Sequence, residues 1–164
     1  MQPCLVPAAS PLGQLEGVTN MVVAEGDFIG QIVASGPGAG EGPTASAIMG
    51  DVMDVARGLV MPVFGIPAAS LRAAPRSAAG SDAEYYLRFT LLDAPMVLSK
   101  VTGILGKHGI SIDRCRQYDH DGDAAPLLIV THNTGRAVLD TALAEISALD
   151  VSLAQPVAIR IENV

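Results

Sequence analysis

Residues 85–110 read YYLRFTLLDAPMVLSKVTGILGKHGI. Tyr85, Leu87, Phe89 and Leu91 fall on one side of a run rich in aromatic and aliphatic residues. That alternation predicts a strand. Asp93 and Pro95 then signal a helix start, because a short carboxylate caps free amides and proline suits a first turn. Val97, Leu98, Val101, Ile104 and Leu105 recur at helical spacing. Gly109 stops that helix, and Ile110 just after it supplies the apolar contact that an αL cap wants.

The rhythm continues downstream. Ile110 to Tyr118 reads as a second strand, and Asp119, His120, Asp121, Gly122 and Asp123 as a turn. Pro126 to Thr131 is apolar enough for a central strand. Gly135 to Leu149 reads as a second helix, with Leu139, Ala142, Leu143 and Ile146 on one face. Val157 to Ile161 is a fourth strand. The order β-α-β-β-α-β predicts a ferredoxin-like unit: a four-stranded antiparallel sheet with two helices on one face.

Upstream the pattern changes. Residues 67–83, PAASLRAAPRSAAGSDA, have linker composition. Before them, Val18–Ala24 and Phe28–Val33 read as two strands, with Glu25, Gly26 and Asp27 as a solvated hairpin turn. A glycine-rich loop, Gly36 to Thr44, leads into a helix from about Ala45 to Arg57. Two strands and one helix do not close a core, and that helix is apolar around most of its girth. The predicted fold class is therefore α+β, with the ferredoxin-like domain at residues 84–164. Residues 67–83 are the linker, and residues 1–66 are the hairpin-plus-helix remnant of a larger α/β domain.

Composition excludes several functions. Of 164 residues, 49% are apolar but none is Trp, so the core must be aliphatic. No apolar run approaches the roughly 20 residues that a membrane helix needs, and the start carries no signal-peptide pattern. These features point to a cytoplasmic protein. The net charge of −7 repels phosphate backbones, and no basic stripe appears, so nucleic acid is not an expected partner. Cys4 and Cys115 do not form a metal-ligand pair by spacing, nor do His108, His120 and His132. The Asp119–Asp123 run lacks the calcium-loop pattern. No metal is expected.

Residues 26–58, GDFIGQIVASGPGAGEGPTASAIMGDVMDVARG, resemble the end of the catalytic region of homoserine dehydrogenase, and PCLVP and VTNMVVAEGDF match as well. The tail, YYLRFTLLDAPMVLSKVTGILGKHGISIDRCRQ with THNT and IRIEN, resembles the ACT regulatory domain that follows in bacterial members. The resemblance implies NAD(P)-dependent interconversion of homoserine and aspartate semialdehyde, in threonine and methionine synthesis. It also implies that the nucleotide-binding domain and catalytic lysine lie outside this chain. Lys100 and Lys107 are the only lysines, and both fall in the ACT-like part. No catalytic residue is expected here, and the chain alone is expected to be inactive and to hold no cofactor tightly. The alternative is a free-standing amino-acid-binding module with no enzymatic parent.

Residue roles follow in two places. The resemblance sets Gly40 against the cofactor with Thr44 beside it, whereas the plain reading makes the glycines turn formers and Thr44 an N-cap. In the ACT-like part the resemblance sets Asp93, Met96 and Ser111 around an amino-acid pocket, with threonine the natural effector. There Asp93 would pair with an ammonium group and helix amides with a carboxylate. Met96 stands where the family has glycine, so its side chain is expected to crowd that pocket. The plain reading keeps Asp93 as a helix cap and Ser111 as a strand residue. Unfinished strand edges and apolar faces predict a homodimer.

Overall fold

The computed structural model describes residues 2–59, 65–73, 80–118, 122 and 124–163. Its strands are β1 (Cys4–Leu5), β2 (Thr19–Gly26), β3 (Gly30–Pro37), β4 (Glu84–Leu92), β5 (Ile112–Gln117), β6 (Ala124–Thr131) and β7 (Val157–Ile161). Its helices are α1 (Glu41–Ala56), α2 (Val97–Lys107) and α3 (Arg136–Ser147). The chain divides into two units, one made of Met1–Pro7 with Ser77–Asn163, the other of Ala8–Arg76.

The first unit holds the core. Tyr85, Leu87, Phe89 and Leu91 are each at most 3% exposed, as the alternation along β4 requires. They meet Val97, Val101 and Leu105 of α2 and Leu139, Ala142 and Ile146 of α3 in one apolar cluster. Each such side chain contributes about 1.5–3 kcal/mol by leaving water. Inside the cluster, the fully buried Thr131 keeps its hydroxyl satisfied by accepting from the Tyr85 amide at 3.1 Å. The sheet order is β1-β7-β4-β6-β5. Strands β4 to β7 pair antiparallel in the ferredoxin-like arrangement. The expected four strands gain a fifth, because β1 pairs parallel to β7.

The end of α2 follows the sequence closely. Gly109 adopts φ 71, its amide donates to Gly106, and the Ile110 amide donates to Leu105. This is a full Schellman ending, closed by the buried pair Leu105 and Ile110. The start of α2 differs from expectation. Its N-cap is Met96, without a side-chain cap bond, rather than Asp93.

The second unit has a hairpin and a helix. Gly26 pairs with Gly30, so the connection is Asp27, Phe28 and Ile29. Glu25, expected in the turn, lies in β2 opposite Gln31. Helix α1 begins at Glu41, earlier than the sequence suggested. Pro43 fits inside the first turn because its missing amide has no partner to lose there. Among the described residues of this unit, Ser10 alone is buried. Phe28, Val22, Ile48, Val52 and Val55 are all more than half exposed. The Asp119–Asp123 turn lies largely outside the described residues, Gly122 apart, and so does the middle of the linker.

Candidate functional site

A ligand-sized cleft of about 420 Å³ lies beside the β4–α2 connection in the sheet unit. Asp93 and Met96 line it from that connection, Gln117 from β5, and Ala125 and Leu127 from β6. The helix-start signal thus brings the Asp93 carboxylate and the first turn of α2 to one cleft. Ala94 accepts from the Val97 amide, and Met96 from the Lys100 amide, which fixes the turn.

Met96 is the one non-glycine residue with positive φ among the described residues, at φ 71 and ψ −5. That conformation is costly for a side chain with a Cβ and free for glycine. Met96 is 69% exposed and is among the residues that line the cleft. Ser111 is not brought to this cleft in a single chain. It is exposed, and its carbonyl accepts from the His132 amide at 2.9 Å. Gln117 was missed by sequence reasoning, since only the register of β5 against β6 aims it there.

The glycine loop brings Gly40 and Thr44 together. Gly40 caps α1 at φ 115 and ψ 154, a region open to glycine alone, and its carbonyl accepts from the Thr44 amide at 3.1 Å. Thr44 is therefore inside the first turn, not the N-cap. Gly38 lets the Asn20 side chain approach closely: a Cβ there would stand 1.5 Å from Nδ2 of Asn20.

Two polar clusters complete the sheet unit. Lys107 and His108, at the end of α2, each reach Glu145 of α3 at 2.8 Å. Their hydrogen bonds hold the Glu145 carboxyl below its usual range. The Arg160 guanidinium, with its side chain 10% exposed, donates to the Ser81 carbonyl at 2.7 Å, to the Ser81 hydroxyl at 3.1 Å, and to Glu162. The Cys115 thiol is pushed up by burial of its sulfur, which disfavours the thiolate. No described cluster of His, Cys, Asp and Glu is arranged to hold a metal. No described helix is long and apolar enough to cross a membrane.

The C-terminal unit is a split β-α-β-β-α-β sheet with a cleft at its first turn, and residues 85–151 match the ACT domain family model. Residues 1–53 match the homoserine dehydrogenase family model, so a segment similar to that family precedes one similar to the ACT domain. The homoserine dehydrogenase of Pseudomonas aeruginosa is 31% identical across 99% of this chain and 40% of its own length. That of Mycobacterium tuberculosis is 34% identical across 98% of this chain and 38% of its own. The chain thus spans about two-fifths of these curated relatives. The crystal structure of a homoserine dehydrogenase from Thiobacillus denitrificans superposes with a TM-score of 0.83 at 31% identity, over 98% of this chain and 38% of that one. The Staphylococcus aureus enzyme, at 18% identity and a TM-score of 0.57, shares the fold.

Proposed function

We propose that this chain supplies the end of the substrate-binding region and the regulatory domain of a homoserine dehydrogenase. The complete enzyme would interconvert homoserine and aspartate semialdehyde by hydride transfer with NAD(P) in the cytoplasm. The observation that carries this reading is continuity: similarity to one family runs through both units and 98% of the chain, in sequence and in structure. A physical argument supports it too. The hairpin and α1 display exposed apolar side chains among the described residues, as the edge of a larger domain would.

Within that reading, Gly40 and the adjoining Thr44 face the nicotinamide cofactor, where a bare backbone and an opening helix turn favour a phosphate. Asp93, Met96 and, in an assembled dimer, Ser111 surround an amino-acid effector, with threonine the candidate. The carboxylate would take its ammonium group, and the α2 amides its carboxylate. The exposed edge of β5 is suited to pairing with a second copy. Boundaries at 66 and 84 separate the catalytic segment and the regulatory domain. This chain contributes no catalytic group, since both its lysines lie on α2.

A turnover assay with homoserine and NADP+ tests the reading, and the chain alone should show none. Clear activity would overturn it. Light scattering should give a dimer, and calorimetric titration with threonine should give a saturable heat that Asp93→Asn abolishes.

A further inference from the structure

Gln117 puts a polar side chain at the end of an apolar row. It is the last residue of β5 and pairs with Leu127 of β6, which pairs with Phe89 of β4. Directly opposed residues in antiparallel strands project from the same face of a sheet. Phe89 and Leu127 are at most 1% exposed and belong to the apolar cluster that α2 and α3 cover. The row therefore ends, on its outermost strand, in a carboxamide on the helix side of the sheet. That place is the cleft beside the β4–α2 connection. Among the described residues lining the cleft, Asp93 and Gln117 alone carry polar side chains, and the others are leucine, alanine, proline, methionine and valine. Gln117 is exposed, and its carboxamide makes no hydrogen bond among the described residues. It keeps an acceptor oxygen and two donor protons for a ligand.

We propose that Gln117 sets the specificity of this cleft by accepting a hydrogen bond from a hydroxyl on the side chain of a small α-amino acid. The inference rests on the effector reading above and adds to it the group that selects the ligand. An ammonium group is common to every α-amino acid, so Asp93 does not tell one from another. Ala125 and Leu127 offer an apolar wall that suits a methyl group of threonine and of valine equally. Those two ligands share a shape and differ at one position, hydroxyl against methyl. Gln117 registers that difference. A site that hydrogen-bonds a hydroxyl disfavours the analogue lacking it. Because Gln117 is exposed, water offsets part of the loss, and the factor is that of one net hydrogen bond.

Calorimetric titration of the full chain reads this out. Threonine should bind about fivefold more tightly than valine. Gln117→Met keeps the length of the side chain without its polar atoms and should bring that ratio to one or below. Gln117→Glu keeps an acceptor oxygen and should preserve the preference for threonine. Valine binding as tightly as threonine to the unaltered chain would overturn the inference, and so would a preference that survives Gln117→Met. Loss of the preference in Gln117→Glu as well would assign it to packing and have the same effect. In these cases the effector reading still stands if Asp93→Asn abolishes threonine binding. If neither amino acid binds the unaltered chain, both fall.

Discussion

Met96 carries the sharpest consequence at the level of a single residue. Its backbone sits at φ 71, where a Cβ crowds the neighbouring carbonyl at a cost of about 1–2 kcal/mol. Glycine escapes that cost but gains freedom in the unfolded chain, which offsets part of it. Met96→Gly should therefore stabilise the sheet unit by about 1 kcal/mol in urea denaturation, whereas Met96→Ala, which keeps the Cβ, should gain nothing. A loss of stability in the glycine variant would mean that the thioether makes contacts worth more than the strain. Gly38 is the reverse case. The Asn20 side chain lies where a Cβ would go, so Gly38→Ala must push it aside and loosen its packing on the loop. The expected readout is faster amide exchange at Asn20 and Gly36, which face each other across the hairpin.

At the scale of elements, the contact between α2 and α3 has a pH signature. Lys107 and His108 hold the Glu145 carboxyl below its ordinary range, so the folded state binds that proton less readily than the unfolded chain. The stabilisation is present above the ordinary carboxylate range and is lost as pH falls through the lowered folded value. Glu145→Gln should lower the midpoint of thermal unfolding near pH 7, and the difference should vanish in strong acid. A difference that persisted there would assign the effect to packing rather than charge. The same elements explain what the sequence could tell. β4, α2 and β7 were legible because alternation, spacing and a glycine stop each reflect one buried face. β1 was not: two residues carry no period, and their partner lies at the other end of the chain. The start of α1 was misplaced because Pro43 and three glycines hide a helical first turn, and the N-cap that allows it is set by a φ that only glycine adopts. Asp93 was legible as a helix-start signal, and Met96 only through the resemblance, because it stands where that family has glycine. Gln117 was not, because its place depends on a bulge between Ile112 and Arg114 that shifts the register of β5.

Across the whole molecule, the two units differ in kind. The sheet unit buries a continuous apolar cluster under two helices, with Tyr85 and Phe89 among its aliphatic side chains, so the core is not purely aliphatic as the composition suggested. The hairpin and α1 bury no apolar side chain among the described residues, and Phe28 is fully exposed. Ordering each residue costs about 1–2 kcal/mol of backbone entropy, and a hairpin with no covered face returns too little to match it. Cooperative unfolding should therefore come from residues 80–163 almost alone. The slope of unfolding free energy against urea scales with the surface exposed in the transition. The intact chain should accordingly give nearly the same slope as residues 80–164 expressed separately, despite the length difference, while residues 8–76 alone should show no cooperative transition. A slope for the intact chain well above that of the separate segment would mean that the hairpin and α1 lose a covered face in the same step. That result would remove the reason for expecting a larger catalytic body to cover them.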